Sequence, residues 1–158
     1  MSLHGAKVLW KREGDFLSRR YSRLHVLDFD HGVIVRGSAS PSLVRPPFAT
    51  HEAVDPEAAF VASLSACHML WVLDHAVDAG LLIEEYEDQC SGVLAKGRDG
   101  RVMMTTVTLR PLLTFEVGRQ PTEEIIVGLH RLAHDSCFIA NSVTSEVVIE
   151  PVFNRVQG

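Results

Sequence analysis

Two cysteines stand at positions where a thiol could take part in catalysis. Cys67 lies inside a long apolar segment next to His68, and Cys137 follows the polar triplet 134–136. A buried thiol on its own is inert, because a low dielectric disfavours the thiolate. Each cysteine can therefore also be read as a small buried hydrophobe. The two residues predict thiol chemistry only if a cation lies near one of them.

Arginine is the cation that suits this chemistry, because it stays charged when it is desolvated and presents a planar fork of donors. Arg19, Arg20 and Arg23 lie on or near a predicted strand, and Glu57 could orient one of them through a bidentate ion pair. Alternatively, Glu57 is an acid that favours the positive end of a helix. Ten helical residues rise about 15 Å, so Glu57 reaches Cys67 only through a long side chain or across a dimer interface.

The helix that must position Cys67 has clear end signals. Asp55 is a good N-terminal cap, Pro56 fits the first turn and Gly80 is a natural stop, so the sequence predicts a helix over 56–79. Its residues 58–73 carry almost no polar side chains, which predicts burial on every face. A single sheet covers one face, so the rest requires a second helix or another copy of the chain. A membrane span is a weak alternative, because the uncharged run of about 16 residues is shorter than the about 20 that a bilayer needs.

The remaining elements alternate between strands and one more helix. The sequence predicts strands over 7–10, 21–29 and 33–35, with a turn at Asp30–Gly32 and an exposed connection over 38–50. A long antiparallel hairpin is predicted from 84–96 and a return strand ending near 115, around a turn at 97–100. A helix starting near 121–124 and a final strand over 145–153 complete an α+β fold. No domain boundary is evident, so we expect one domain over 1–158.

Composition limits the classes of function. The chain has 158 residues, 46% of them hydrophobic and 22% charged, with a net charge of −5. This balance is typical of a globular protein and disfavours nucleic acid or an anionic membrane as the main partner. Three cysteines are a sparse and odd set, which favours a reducing compartment over a disulfide-stapled secreted domain. With no apolar signal region at the start, we expect a cytoplasmic protein.

Two stretches carry a resemblance to a known family. The segment 55–67, DPEAAFVASLSAC, is followed about 70 residues later by the segment 133–142, AHDSCFIANS. A Pro-Glu opening, a cysteine ten residues after the glutamate, and a second cysteine after a helix together resemble the OsmC/Ohr family of osmotically inducible and organic hydroperoxide resistance proteins. The element order and nearly the whole length also match. The resemblance implies an intertwined α+β homodimer, with antiparallel sheets around a buried central helix and active sites at the subunit interface.

The same resemblance implies a role for each candidate residue. Cys67 matches the peroxidatic cysteine, which becomes a sulfenic acid, and Cys137 matches the resolving cysteine, which forms a disulfide with it. Glu57 matches the glutamate that pairs with the catalytic arginine, and Arg23 is the best match to that arginine, with Arg19 or Arg20 as alternatives. The substrate would be an organic hydroperoxide and the reductant an external dithiol such as a lipoyl group, with no metal or organic prosthetic group.

Two features depart from the family pattern. Phe138 follows Cys137 where the family often has proline, and the stretch 21–25, YSRLH, resembles a less characterised OsmC-like subgroup. One rival interpretation is a metal site built from His130, His134 and Cys137, although this spacing matches no established zinc motif. The other is a non-enzymatic dimer that binds a small hydrophobic ligand or acts in a stress response.

Overall fold

The computed structural model describes residues 1–29 and 32–153 and shows an α+β fold. The chain forms two compact units, Met1–Ala59 and Phe60–Gly158, and the expected single domain over 1–158 stays a prediction. The described residues contain ten strands, two helices and one short 3-10 turn. They are β1 (Ala6–Trp10), β2 (Gly14–Asp15), β3 (Arg20–Tyr21), β4 (His25–Phe29), β5 (Val33–Gly37), α1 (Pro56–Asp78), β6 (Ile83–Asp88), β7 (Ser91–Lys96), β8 (Val102–Leu109), β9 (Pro111–Phe115), α2 (Glu123–Ser136), the turn Ala140–Ser142 and β10 (Glu146–Ile149).

The first unit contains an antiparallel sheet in the order β1-β4-β5 and a small β2-β3 ribbon. The predicted hairpin between β4 and β5 is confirmed by its register, in which Leu27 lies opposite Val35. Residues 30 and 31 of the predicted turn lie outside the described residues. The single strand predicted over 21–29 is wrong, because the chain leaves the extended ladder at 22–24. There the Ser22 hydroxyl accepts a hydrogen bond from the Leu24 amide at 3.2 Å, a local turn that competes with strand pairing.

Helix α1 has the predicted boundaries within one residue. The Asp55 carboxylate accepts a hydrogen bond from the Ala58 amide at 2.9 Å and so caps the first turn. Gly80 has a φ of 68°, and the amide of Leu81 reaches back to the carbonyl of Ala76 at 2.9 Å. This arrangement closes the helix with a left-handed glycine, because a side chain there would be strained.

The prediction that α1 is buried on every face is wrong for the single chain. One stripe is buried, while Leu70 is 63% exposed and Val77 is 77% exposed. In the described part of the chain, α1 is the only helix long enough and apolar enough to cross a membrane. The core helix of a soluble protein meets the same two criteria. The buried stripe consists of Val61, Leu64, His68, Val72 and Ala76.

In the second unit, the predicted long hairpin is present as two successive pairs of strands. β6 pairs with β9, and β7 pairs with β8, each antiparallel. The pairs separate after Asp88, whose carboxylate accepts a hydrogen bond from the Arg110 amide at 2.6 Å; the next residue, Pro111, has no amide hydrogen to donate. The predicted last strand is present as β10, which pairs with β8 in parallel.

Helix α2 begins near the predicted start and closes the core of this unit. Thr122 stands at its cap position, although its side chain makes no capping hydrogen bond. One apolar cluster joins α1, β9 and α2, and a second joins α1 to β8. Their buried members are Val72, Ala76, Leu113, Phe115, Ile126, Leu129 and Ala133 in the first, and Val61, Leu64, Val107 and Leu109 in the second.

Candidate active site

The two predicted thiols lie side by side. Cys67 is half-buried in the middle of α1, and Cys137, which is only 1% exposed, ends α2. Both are free cysteines, and the Cys67 thiol is close enough to contribute to the raised pKa of the Cys137 thiol. The fold therefore brings together two residues that are 70 positions apart in the sequence.

Burial determines the electrostatics of Cys137. Burial is the largest cause that raises the pKa of this thiol to about 11, and the neighbouring Cys67 thiol contributes in the same direction. The backbone amides of Ala140, at 3.4 Å from Sγ, and of Ile139 act in the opposite direction. Cys137 is consequently a protonated thiol at neutral pH and a weak nucleophile in its resting state.

A buried pair of histidines bridges the two helices that carry the thiols. His68 Nε2 and His130 Nδ1 share a hydrogen bond of 3.0 Å, and the rings stack with centroids 5.3 Å apart. His130 is 2% exposed and His68 is 1% exposed. Burial lowers the pKa of His68 to about 3 and the pKa of His130 to about 4, so both are neutral at physiological pH.

The proposed metal set is not assembled. Within residues 1–29 and 32–153, the one group of three potential ligands within reach of one another is Asp74, His75 and Asp78, near the end of α1. His75 also shares a hydrogen bond of 3.0 Å with the Ser136 hydroxyl. His130, His134 and Cys137 do not form such a group in the described part of the chain, which weighs against the metal interpretation of residues 130–137.

Among the three candidate arginines, Arg23 is the one with a fixed guanidinium. Its Nη1 donates to the carbonyl of Arg19 at 3.1 Å and to the carbonyl of Tyr21, and its charge lies over the Tyr21 ring, 3.7 Å from the centroid. Arg19 and Arg20 are exposed, whereas Arg23 is half-buried. Arg19 adopts a φ of 62°, a left-handed turn that costs roughly 1 kcal/mol in a residue with a side chain.

The first unit also holds an apolar cavity beside Arg23. Its volume is about 310 Å³, which suits a small ligand. Three of its walls are aromatic rings in mutual contact, with the centroids of Phe16 and Tyr21 only 4.8 Å apart. The lining residues are Val8, Trp10, Phe16, Tyr21, Arg23 and His25.

His25 is positioned by a glycine that sequence reasoning missed. Its Nδ1 lies 2.9 Å from the carbonyl oxygen of Arg23, and its ring lies over Gly37, its partner across the sheet. A Cβ at Gly37 would lie 2.2 Å from His25 Nε2, well inside contact distance. A glycine in a strand interior is the signal that indicates such a close approach.

Glu57 lies in the first turn of α1 and has a buried oxygen. Its Oε2 has no hydrogen-bond partner within the described residues. A buried carboxylate oxygen without a donor is costly. The expected ion pair between Glu57 and an arginine stays a prediction. In that pair, Oε2 of Glu57 would accept the hydrogen bond from the guanidinium.

Phe138, the residue that directly follows Cys137, makes its own contact with α1. Its ring meets Trp71 edge-on, with centroids 5.3 Å apart. Its carbonyl accepts a hydrogen bond from the Ser142 hydroxyl at 2.7 Å. The chain after Cys137 is therefore held at both the side chain and the backbone of Phe138.

Comparisons with known proteins agree with this geometry. An OsmC-like protein of unknown function from Vibrio cholerae is 45% identical and has a TM-score of 0.93, with 96% of this chain and 100% of that chain covered. The organic hydroperoxide resistance protein OhrB of Bacillus subtilis shares the fold at 21% identity, with a TM-score of 0.66 and coverage of 97% and 100%. So does an organic hydroperoxide resistance protein OsmC from Legionella pneumophila, at 17% identity and a TM-score of 0.67, covering 98% and 100%.

Two sequence comparisons give different results. No curated protein matches this chain, whereas a family model does. The family model described as OsmC-like protein matches residues 49–152, which include α1, α2 and both adjacent thiols. The chain belongs to the OsmC-like family, the group that includes the Ohr proteins.

Proposed function

We propose that the protein is a cysteine-based peroxidase that reduces organic hydroperoxides. The observation that carries the proposal is the pair of free thiols, Cys67 on α1 and Cys137 at the end of α2, which are close enough for Cys67 to raise the pKa of Cys137. The names of the Bacillus and Legionella relatives, which are organic hydroperoxide resistance proteins, support the substrate class.

The first step transfers one oxygen atom. The Cys67 thiolate attacks the distal oxygen of the hydroperoxide, an S–O bond forms, and the O–O bond breaks. The departing alkoxide takes a proton and leaves as an alcohol, while Cys67 becomes a sulfenic acid. The half-buried location of Cys67 and its apolar helix favour a bulky organic hydroperoxide over hydrogen peroxide.

The second step protects the oxidised sulfur. Cys137 loses its proton and attacks the sulfenic sulfur of Cys67, and the hydroxyl group leaves with that proton as water. The resulting disulfide is reduced by an external dithiol, of which a lipoyl group is one candidate, with two electrons and two protons returned to the thiols. The raised pKa of Cys137 fits this order, because this thiol is not the group that meets the peroxide first.

Arg23 and Glu57 take supporting roles in this proposal. The guanidinium of Arg23 stabilises the thiolate and the developing alkoxide, and Glu57 orients the guanidinium through an ion pair. The fixed position of Arg23 over Tyr21 and the unpartnered Oε2 of Glu57 within the described residues support these roles. Neither requires a metal or an organic cofactor.

A homodimer in the cytoplasm completes the proposal. The exposed face of α1 carries the apolar side chains Ala62, Ala66, Leu70 and Val77. Soluble proteins rarely leave such a surface in water, and a second copy of the chain would cover it. A cytoplasmic location supplies the reducing conditions in which three free cysteines persist.

Mass spectrometry after one equivalent of cumene hydroperoxide tests the mechanism. We expect a Cys67–Cys137 disulfide in the wild type and a normal product in the matched control Cys90→Ser, because Cys90 packs against the second apolar cluster. Cys67→Ser should abolish turnover with a dithiol reductant. Cys137→Ser should stop at the sulfenic acid and then acquire a second oxygen. Turnover that survives Cys67→Ser would refute the proposal.

A non-enzymatic ligand-binding role is the second candidate. The aromatic cavity beside Arg23, about 310 Å³ in volume, is the observation that favours it. Tight binding of a small hydrophobic ligand, together with no turnover of alkyl or fatty-acid hydroperoxides, would support this role over the peroxidase.

A further inference from the structure

We propose that the hydrogen bond between His68 and His130 is a positioning contact for the thiols, which fixes α1 against α2 so that the sulfur atoms of Cys67 and Cys137 meet. Neither histidine belongs to the site residues assigned above. The inference rests on the proposed function only in treating the thiol pair as the reacting group.

The location of the bond carries the first step of the argument. His68 directly follows Cys67 on α1, and His130 lies on α2, the helix that ends at Cys137. One hydrogen bond of 3.0 Å thus joins the two helices, one residue after Cys67 on α1 and seven residues before Cys137 on α2. A disulfide usually has Cα atoms about 4.4–6.8 Å apart, so a small shift of one helix against the other matters.

The surroundings of the pair carry the second step. Both rings are almost completely buried, and the planes are 12° from parallel. In a dry and close-packed interior the two rings have few alternative arrangements, and a hydrogen bond there is costly to break because its partners cannot find water. This bond therefore holds the helices in one relative position rather than in a range of positions.

The unpartnered atoms of the pair carry the third step. His68 Nδ1 and His130 Nε2 are buried without a hydrogen-bond partner in the described part of the chain. In a neutral pair one bridging nitrogen donates and the other accepts, so either tautomer leaves one N–H and one lone pair unsatisfied. Apolar residues would avoid this cost. A pair of histidines at this position is thus explained by what the bond positions rather than by stability alone.

The neutral state of the pair agrees with its surroundings. Burial acts first on His68, and the charges of His130 and His134, both on α2, act in the same direction. Burial alone acts on His130. No carboxylate is among the groups that set these values, so none of them favours protonation of both rings, which would leave two donors facing each other and break the bridge.

The test measures the equilibrium between the Cys67–Cys137 disulfide and dithiothreitol, which requires no peroxide. Oxidised dithiothreitol takes two electrons and two protons from the thiols, and its reduced form returns them. The matched variants are His68→Gln, whose amide nitrogen can occupy the place of Nε2, and His68→Asn, whose shorter amide cannot. We expect His68→Gln to stay within about two-fold of the wild-type equilibrium constant and His68→Asn to fall by about five-fold or more, as the loss of one hydrogen bond implies.

A double variant separates positioning from stability. His68→Leu/His130→Leu removes both unsatisfied nitrogens, and we expect its resistance to urea to be retained or increased while the disulfide constant falls by about five-fold. Val107→Ala is the control, because it weakens the core of β8 and leaves the bridge intact; its disulfide constant should match the wild type. A wild-type constant in both His68→Asn and the double variant overturns the inference.

The outcomes also separate this inference from the proposed function. A disulfide that forms with dithiothreitol and weakens in His68→Asn, in a protein without peroxide turnover, supports the positioning contact and refutes only the peroxidase. Peroxide turnover with unchanged disulfide constants in both variants refutes only the positioning contact.

Discussion

The hydroxyl of Ser65, which lies two residues before Cys67 on α1, donates a hydrogen bond to the carboxylate of Asp88. The second carboxylate oxygen of Asp88 accepts a hydrogen bond from the amide of Arg110 at 2.6 Å. One acid thus joins the thiol-bearing helix to the corner between β8 and β9, and both of its oxygens have donors. Neither Ser65 nor Asp88 was a predicted site residue.

Loss of this acid should loosen the helix. We expect Asp88→Ala to lower the free energy of unfolding by about 1–3 kcal/mol, because the Arg110 amide and the Ser65 hydroxyl lose their acceptor. Ser65→Ala should cost less, and the double variant should cost less than the sum of the two. Urea unfolding of the four proteins gives the coupling energy. Strict additivity would contradict a direct interaction.

The buried histidine pair should make the protein sensitive to acid. The pKa of His68 is lowered to about 3 and that of His130 to about 4, mainly by burial, whereas the unfolded chain protonates both near 6.5. The unfolded state therefore binds more protons below pH 6.5, and the free energy of unfolding falls as the pH decreases. The slope should approach about 1.4 kcal/mol per pH unit for each histidine.

Urea unfolding at several pH values between about 7.5 and 4.5 measures this slope. The double variant His68→Leu/His130→Leu lacks both groups and should show a flatter profile. An equally steep decline in that variant would assign the acid sensitivity to other residues.

The proposed mechanism assigns Arg23 to stabilise the Cys67 thiolate. We therefore expect Arg23→Ala to slow the alkylation of Cys67 by iodoacetamide at pH 7 by about ten-fold, because loss of a stabilising cation lowers the thiolate fraction. Arg12→Ala is the control, since Arg12 is exposed and is not one of the candidate arginines. Peptide mass spectrometry reads the rate at Cys67 alone. Equal rates in the two variants would remove Arg23 from the mechanism.

Two glycines should respond to alanine in opposite directions. Gly37→Ala places a Cβ against the His25 ring, and we expect a loss of about 1–3 kcal/mol in the free energy of unfolding. Gly128→Ala adds a methyl group to open space on α2 and should stabilise the helix by about 0.5–1 kcal/mol. Thermal unfolding of both variants measures these changes in stability. A neutral Gly37→Ala would mean that the His25 ring moves away freely.

Local signals were sufficient to predict most elements from the sequence. The cap of Asp55 and the left-handed Gly80 fix both ends of α1, and both depend only on neighbouring residues. The β4–β5 hairpin is also local. The break after Asp88 could not be predicted, because it depends on the amide of Arg110, which is 22 residues away.

The candidate site was predictable in its residues but not in its connections. Cys67 and Cys137 follow from two recognisable segments, and the structure brings them together. The hydrogen-bond partner of His68 could not be predicted from the sequence, because His130 lies 62 residues later, on α2. Near the end of this amphipathic helix, the residue types do not distinguish the buried face from the exposed face. The role of Gly37 depends on the register across the sheet, which the sequence alone leaves open.

The parallel pairing of β10 with β8 has a consequence for how the molecule forms. Val147 lies beside Val107, so the strands can join only after the whole of α2 has been made and has crossed over. Contacts between such distant residues are entropically slow to form. Until residues 146–149 leave the ribosome, the free edge of β8 is open to pairing with another nascent chain, so the interval between the synthesis of β8 and that of β10 is exposed to aggregation.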